Sequence, residues 1–203
     1  MRFHLTYDGL LLGSGRDKPR PDHKHDIRRV FHHQLRKLWD TTWLKDMKHG
    51  NYVNAPLINP DLPMRDGLAQ RHTLGSYRFV PLVREELALH CSLKILFLRP
   101  DPPGLIQSAD LDSRLKTLFD AMKMPAVTSQ LGKYHAPGSD EDPFYCLLED
   151  DKLISHVSVE TDFLLQPTTS GLSGNSAKND ARLIIDVTVR PYSLTYGNMP
   201  FGA

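Results

Sequence analysis

The chain has 203 residues, of which 40% are apolar and 24% charged, and its formal net charge at pH 7 is +1. These values are ordinary for a globular protein, and no apolar run approaches the roughly 18 to 20 residues that cross a bilayer. The first fifteen residues lack the basic segment and long apolar stretch of a signal peptide. Two cysteines are too few for a disulfide framework or a four-thiolate zinc site. We therefore expect a soluble, cytoplasmic protein that does not associate with membranes.

The near-neutral total hides an uneven distribution of charge. Residues 1–50 hold eleven Lys and Arg against six Asp, a balance of +5, whereas residues 101–162 hold five Lys and Arg against twelve Asp and Glu, a balance of −7. Such a chain can present a basic surface to a polyanion and keep a separate acidic pocket. Chance clustering of solvated charge explains the distribution equally well.

The N-terminal third predicts a hairpin followed by a basic helix. Residues 2–12 alternate around Asp8-Gly9, a pair typical of tight hairpin turns. From 22 to 39 the apolar residues recur at helical spacing and predict one buried stripe: Ile27, Val30, Phe31, Leu35, Leu38 and Trp39. Residues 40–75 contain frequent Gly, Asn and Pro and predict mostly loop, and 77–83 predicts a short strand ending near Pro81.

The remainder alternates strand and helix patterns. Residues 89–98 and 181–190 alternate apolar and polar side chains, as half-buried strands do, and residues 152–165 predict a third strand. A helix is predicted from near Asp110 to Pro125. The segments 126–148 and 166–180 predict a loop-rich insertion and a flexible polar stretch. We expect one α/β (α+β) domain over 1–203, a mixed sheet flanked by helices, with a core at about 85–190 and an N-terminal elaboration at 1–84.

The predicted helix at 110–125 carries an acidic edge. Asp110 stands where a helix N-cap is expected. Asp112, Lys116 and Asp120 are each four residues apart, which places them along one polar edge beside the apolar stripe. A cap and a solvated face account for this helix on its own.

A second acidic group, Glu149-Asp150-Asp151, opens the predicted strand at 152–165. Adjacent carboxylates repel one another unless a cation offsets them. Carboxylates at the ends of two elements form the kind of site that binds Mg²⁺, which prefers oxygen ligands and is often completed by substrate phosphate. Such a site can activate water in phosphodiester hydrolysis.

The pattern of a strand, then DLD-x₃-K-x₂-FDA on a helix, then a DD before the next strand, resembles the RusA family of Holliday-junction resolvases. The matching residues are Asp110, Asp112, Lys116, Phe119, Asp120 and the pair Asp150-Asp151. The resemblance covers about residues 85–190.

The resemblance implies a small homodimeric, Mg²⁺-dependent endonuclease of mixed α/β fold, with Mn²⁺ as a possible substitute metal. It implies that Asp110, Asp112 and Asp151 hold the metal, with Asp150 as an auxiliary carboxylate. It also implies that Lys116 contacts the scissile phosphate or the developing charge. DNA, branched or otherwise structured, would be the partner, and no small-molecule cofactor is implied.

Phosphate contacts are expected from basic residues outside the acidic motif. The predicted helix at 22–39 supplies one cationic face and the strands add further cations: Arg28, Arg29, Arg36, Lys37, Lys94, Arg182 and Arg190. A solvated helix face explains the first four equally well.

A histidine metal site at His23, His25, His32 and His33 is a further interpretation. Asp140, Glu141 and Asp142 in the insertion would repel DNA if they shared its face.

Two functions remain open on the sequence. The first is a metal-dependent endonuclease, and the second is a non-catalytic nucleic-acid- or protein-binding module that keeps the resolvase-like fold. Metal binding discriminates between them, because only the nuclease requires the two acidic groups to hold one ion.

Overall fold

The computed structural model describes residues 1–15, 17–48, 61–100, 108–168 and 179–202. For residues 108–110 it describes the backbone but not the side chains. Within these ranges the helices are α1 (Pro21–Thr41), α2 (Met64–Arg71) and α3 (Ser108–Met122). The strands are β1 (Arg2–Leu10), β2 (Thr73–Leu74), β3 (Tyr77–Val83), β4 (Leu89–Arg99), β5 (Phe144–Leu148), β6 (Ile154–Phe163) and β7 (Asp180–Pro191). The predicted mixed α and β class is confirmed. None of the described helices is long and apolar enough to cross a bilayer.

The larger sheet has the strand order β1-β7-β4-β6. Strand β4 is antiparallel to β7 and parallel to β6, so the sheet is mixed. Its two central strands alternate as predicted: Leu93 and Ile95 of β4 and Ile185 and Val187 of β7 are buried on the same face. Helices α1 and α3 supply much of the apolar cover of this face, which forms the main core.

The predicted hairpin at residues 2–12 is wrong. Strand β1 runs straight through Asp8-Gly9 and pairs antiparallel with β7, with Gly9 opposite Ala181. The Asp-Gly pair is a local turn signal, and pairing with a strand at the other end of the chain overrides it.

Helix α1 is buried on two sides. Ile27, Phe31, Leu35 and Trp39 lie in the core as predicted, whereas Val30 of the predicted stripe is 39% exposed. The helix also contacts α3 and β5, and the residues that face these elements are buried although they are polar: His25, Arg28 and His32.

The smaller sheet has the order β2-β3-β5, with β3 and β5 parallel. Strand β5 lies at the end of the predicted loop-rich insertion, and all five of its residues are buried. Helix α2 likewise interrupts the predicted loop at 40–75. Residues 49–60 of that loop, and 169–178 of the predicted flexible stretch, lie outside the described residues.

Helix α3 begins two residues before the predicted start. Because it starts at Ser108, Asp110 lies in the first turn of the helix and not at the N-cap. Leu118 and Met122 are buried, and three more residues of the predicted stripe pack against the core from partly exposed positions: Leu111, Leu115 and Phe119.

Candidate active site between helix α3 and strand β6

The polar edge of α3 forms one wall of a surface cleft of about 280 Å³. Asp112, Lys116 and Asp120 all line it, together with the half-buried Leu115 and Phe119. The spacing of four residues keeps the three polar side chains on one line of the helix while Leu118 and Met122 face the core. The edge predicted from the sequence is therefore present and faces an open cavity.

Asp151 lies in the same cleft. The chain brings it there because the end of α3 is bonded to the end of β5: the backbone N–H of Met124 donates to the carbonyl of Leu148 at 2.9 Å. Beyond Leu148, the N–H of Glu149 donates to the carbonyl of Val83 at 2.9 Å, and Asp151 then begins the short 3₁₀ turn that leads into β6. Two acidic groups far apart in sequence thus meet at one cavity.

Asp150 has a structural role beside the cleft. Its carboxylate accepts a hydrogen bond of 2.9 Å from the backbone N–H of Lys152 and caps the 3₁₀ turn. This hydrogen bond lowers the pKa of the Asp150 carboxyl below its usual value, with smaller contributions from nearby lysines. Asp150 is not among the residues that line the cleft, unlike Asp151.

The third carboxylate that the resemblance implies, Asp110, lies in the first turn of α3, but its side chain falls outside the described residues. Among the side chains that are described, no three His, Cys, Asp or Glu are grouped closely enough to hold a metal ion. The described carboxylates of the cleft are Asp112, Asp120 and Asp151. Oxygen donors of this kind suit Mg²⁺, which commonly takes only one or two protein carboxylates and completes its shell with water and phosphate.

Two lysines offset part of the acidic charge. The Nζ of Lys123 lies 3.1 Å from Oδ1 of Asp151 and 3.5 Å from Oδ1 of Asp120, and the Nζ of Lys24 lies 2.7 Å from Oδ2 of Asp120. Partial burial lowers the pKa of Lys123, but the attraction of Asp151 and Asp120 outweighs it, and the net shift is upward. Lys123 is therefore held as a cation between the two carboxylates.

Asp112 and Lys116 are different, because both are exposed and neither has a side-chain partner among the residues that the structure describes. A carboxylate and an ammonium group that face a cleft without forming an ion pair are open to a ligand of mixed charge. A metal ion with a bound phosphate is such a ligand.

The predicted cationic face of α1 is largely taken up by contacts within the chain. Arg28 is only 2% exposed, so its assignment to an exposed DNA-binding face is wrong: α3 and β5 cover that side of the helix. Arg29 forms an ion pair with Glu141, and Arg36 donates to the backbone carbonyl of Asp140 at 2.8 Å. Lys37 is exposed.

The three cations predicted on the strands differ in whether they form an ion pair. Arg182 is paired with Asp8, at 2.8 Å. Lys94 and Arg190 are exposed on the outer face of the larger sheet and have no ion-pair partner among the described residues. Both line a broad open cleft of about 710 Å³ that also contains Arg2 and His156. Lys94 and Arg190 on this outer face, together with Lys37 on α1, are therefore the exposed cations of the predicted set that form no ion pair in the described chain, whereas the exposed Arg36 pairs with Asp40.

Two of the three acidic residues of the insertion, Glu141 and Asp142, are paired with arginines. Besides the pair of Glu141 with Arg29, Asp142 receives two hydrogen bonds of 2.8 Å from Arg78. His33 lies 3.5 Å from Asp140. The insertion thus docks its negative charge onto α1 and β3, and these pairs reduce the repulsion of DNA that the sequence suggested.

The histidine metal site is not formed. His23, His25, His32 and His33 are all described, and none belongs to a metal-holding group. Both ring nitrogens of His32 are engaged: Nδ1 accepts from the backbone N–H of Tyr145 at 2.9 Å, and Nε2 lies 3.1 Å from the carbonyl of Asp140. His32 therefore fastens the insertion to α1.

With this geometry defined, the chain was compared with family models, curated proteins and solved structures. None matches.

Lys24 and Lys123 pair with carboxylates of the cleft, and the sequence did not indicate either of them. Lys24 comes from α1, and it reaches Asp120 only because α1 packs against α3. No local pattern signals such a contact. Lys123 does follow Asp120 at a spacing of three residues on a helix, which favours an ion pair, and that spacing is a usable signal.

Proposed function

We propose that the chain is a Mg²⁺-dependent endonuclease of the RusA type that cleaves branched or otherwise structured DNA, and that it acts as a homodimer. The observation that carries this proposal is the meeting of Asp112 and Lys116 on α3 with Asp151 before β6 in one cleft. The order of elements around them, a strand, the acidic helix and the acidic turn into a strand, also agrees with the resemblance.

Each described residue has a role that its position suits. Asp112 and Asp151 would hold the metal ion, with Asp110 as a third ligand according to the resemblance. Lys116 has no counter-ion among the described residues, so its charge is available to a phosphate oxygen. Leu115 and Phe119 form the apolar part of the wall. The bound ion would supply Lewis-acid activation of water and stabilise the leaving oxygen.

DNA affinity would come mainly from Lys94 and Arg190 on the outer sheet face, with Lys37 on α1. These cations are exposed and form no direct ion pair in the described chain, and Asp186, which lies opposite Lys94 in the sheet, is itself paired with Arg2. Each phosphate that they neutralise releases counterions, so binding would weaken as salt concentration rises.

A second function, a nucleic-acid-binding module without catalysis, is favoured by one observation. Lys123 and Lys24 already neutralise Asp151 and Asp120, and carboxylates that are paired in this way need no metal ion. The two functions differ in whether divalent metal binds at the cleft and whether DNA is cut.

The test is cleavage of labelled four-way-junction, three-way-junction and linear duplex DNA in Mg²⁺ or Mn²⁺. The proposal predicts metal-dependent incision of the branched substrates, and Asp112→Asn should reduce its rate by at least about 100-fold because a metal ligand is lost. Asp46→Asn is the matched control, because Asp46 is exposed and outside the cleft. Incision by Asp112→Asn at the rate of the unaltered protein would contradict the proposal, and DNA binding without any incision would favour the second function.

A further inference from the structure

A second cavity of about 260 Å³ lies beside the cleft, between the start of α1, the end of α3 and the turn at 128–131. The two cavities share Asp120, and Lys123 of the second contacts Asp151 of the first. A single water needs only about 10 to 15 Å³ of such space. The second cavity therefore has room for a group of several atoms next to the candidate active site.

The charge around this cavity is predominantly positive. Lys24, Arg28 and Lys123 line it together with a single carboxylate, Asp120. Asp120 forms ion pairs with both lysines, and Lys123 also pairs with Asp151. The cavity thus contains three cations and one anion, which favours an anionic ligand.

Arg28 is the most informative of these cations. It is 2% exposed, yet all of its hydrogen-bond acceptors are neutral: Nε donates to the carbonyl of Lys123 at 3.1 Å, Nη2 to the carbonyl of Asp120 at 2.8 Å, and Nη1 to Nδ1 of His25 at 3.0 Å. The two carbonyls belong to the C-terminal end of α3, whose partial negative charge offsets the guanidinium only in part. No carboxylate of the described chain forms an ion pair with it. The nearest acidic influence on Arg28 is the carboxylate of Asp120, which is already paired with Lys24 and Lys123. A buried cation with so little compensating charge is costly, and an anion in the adjacent cavity would offset that cost.

The donors suit a phosphate group. A guanidinium has five N–H donors, and the three bonds above leave two without an acceptor in the described chain. Ser129 and Gln130 also line the cavity and add polar groups to it. Phosphate presents several oxygens that accept charge-assisted hydrogen bonds from Arg and Lys.

We infer that this cavity binds one phosphate group of a nucleic-acid strand, the neighbour of the phosphate at the cleft. That the phosphate belongs to a nucleic-acid strand depends on the proposed function. That the cavity binds phosphate is argued from Arg28, Lys24 and the cavity alone. Lys24 contacts Asp120 and lines this cavity, as Lys123 does, but Lys24 has no contact with Asp151, so its substitution tests the cavity with less effect on the cleft.

The first test uses the full chain without divalent metal and titrates it with inorganic phosphate, followed by the backbone amide signals of Ser129 and Gln130 in NMR spectra. Phosphate should shift these signals, and Lys24→Met should weaken the apparent affinity at least about fivefold, while Lys24→Arg restores it. Lys45→Met is the control, since Lys45 is an exposed lysine outside the cavity. Absence of these shifts, or shifts that Lys24→Met leaves unchanged, would overturn the inference.

The second test identifies the source of the phosphate. DNA binding is measured without cleavage, with single phosphates of the strand replaced one at a time by neutral methylphosphonates. One replacement beside the incision position should weaken binding of the unaltered protein and leave that of Lys24→Met unaffected. If every replacement weakens both proteins equally, the cavity does not bind a strand phosphate. Both tests report binding, so a protein that binds phosphate here without cutting DNA would refute the proposed function and leave this site intact.

Discussion

The ammonium group of Lys123 lies 3.1 Å from the carboxylate of Asp151, at the position where the proposed metal ion would compete for the same oxygen. The lysine follows α3 directly and Asp151 precedes β6, so the contact joins the two elements that form the cleft. Metal binding at Asp151 would therefore have to displace this lysine from the carboxylate.

We predict that Lys123→Met strengthens Mn²⁺ binding by about three- to tenfold, because a competing cation worth about 1 kcal/mol is removed from Asp151. Calorimetric titration with Mn²⁺ measures the change. Lys152→Met is the matched control: Lys152 adjoins Asp151 in the chain, but its ammonium group pairs with Glu85 at 2.6 Å. Weaker Mn²⁺ binding by Lys123→Met would show that the lysine supports the metal site and does not compete with it.

Arg28→Ala should lower the free energy of unfolding by about 2 to 4 kcal/mol, since it removes buried packing and leaves the carbonyls of Lys123 and Asp120 without their donor. Urea denaturation measures this loss. Arg36→Ala, on the exposed side of the same helix, should change stability by no more than about 0.5 kcal/mol. Equal effects of the two substitutions would argue against the structural role of Arg28.

Stability should fall as the pH is lowered from 6.5 to about 4, in part through His25. Burial, together with the charge of Arg28, lowers the pKa of His25 from 6.5 to about 4 in the folded protein. In this interval the unfolded chain binds a proton at His25 that the folded chain does not, so unfolding becomes more favourable as the pH falls. The stabilisation is complete above pH 6.5.

His25→Asn should flatten this dependence. Thermal or urea unfolding measured at several pH values gives the slope for each protein. A slope in His25→Asn as steep as that of the unaltered chain would rule out His25 as its source.

The outer sheet face should determine the salt dependence of DNA binding. Each phosphate contact contributes about 0.9 to the slope of log K against log salt for duplex DNA. We predict that Lys94→Met combined with Arg190→Met reduces this slope by about 1 to 2. Arg78→Met should not change it, because Arg78 is paired with Asp142. An unchanged slope in the double variant would move the DNA-binding surface elsewhere on the protein.

Helices and strands whose apolar residues recur at a clear period can be predicted from the sequence. Those that depend on pairing or packing with segments distant in the chain cannot. The alternation in β4 and β7 and the helical stripe of α3 are visible in the sequence because each element buries one face only. Strand β5 shows no such period, because all five of its residues are buried, which removes the alternation. The turn signal at Asp8-Gly9 failed because β1 pairs with β7, from the far end of the chain.

The candidate site likewise has features that the sequence predicts and features that depend on helix packing. The spacing of Asp112, Lys116 and Asp120 predicted a common edge, and that edge lines the cleft. The burial of Arg28 was not predictable, because a helical pattern does not reveal that α3 and β5 cover a second side of α1. The contact of Lys24 with Asp120 is likewise a product of helix packing.

The most direct test of the account is the structure of crystals soaked in Mn²⁺, with the metal located by its anomalous scattering. We expect one Mn²⁺ ion within bonding distance of both Asp112 and Asp151, with Lys123 moved away from the Asp151 carboxylate. Anomalous density confined to other parts of the molecule at saturating Mn²⁺, with the Lys123–Asp151 pair intact, would contradict it.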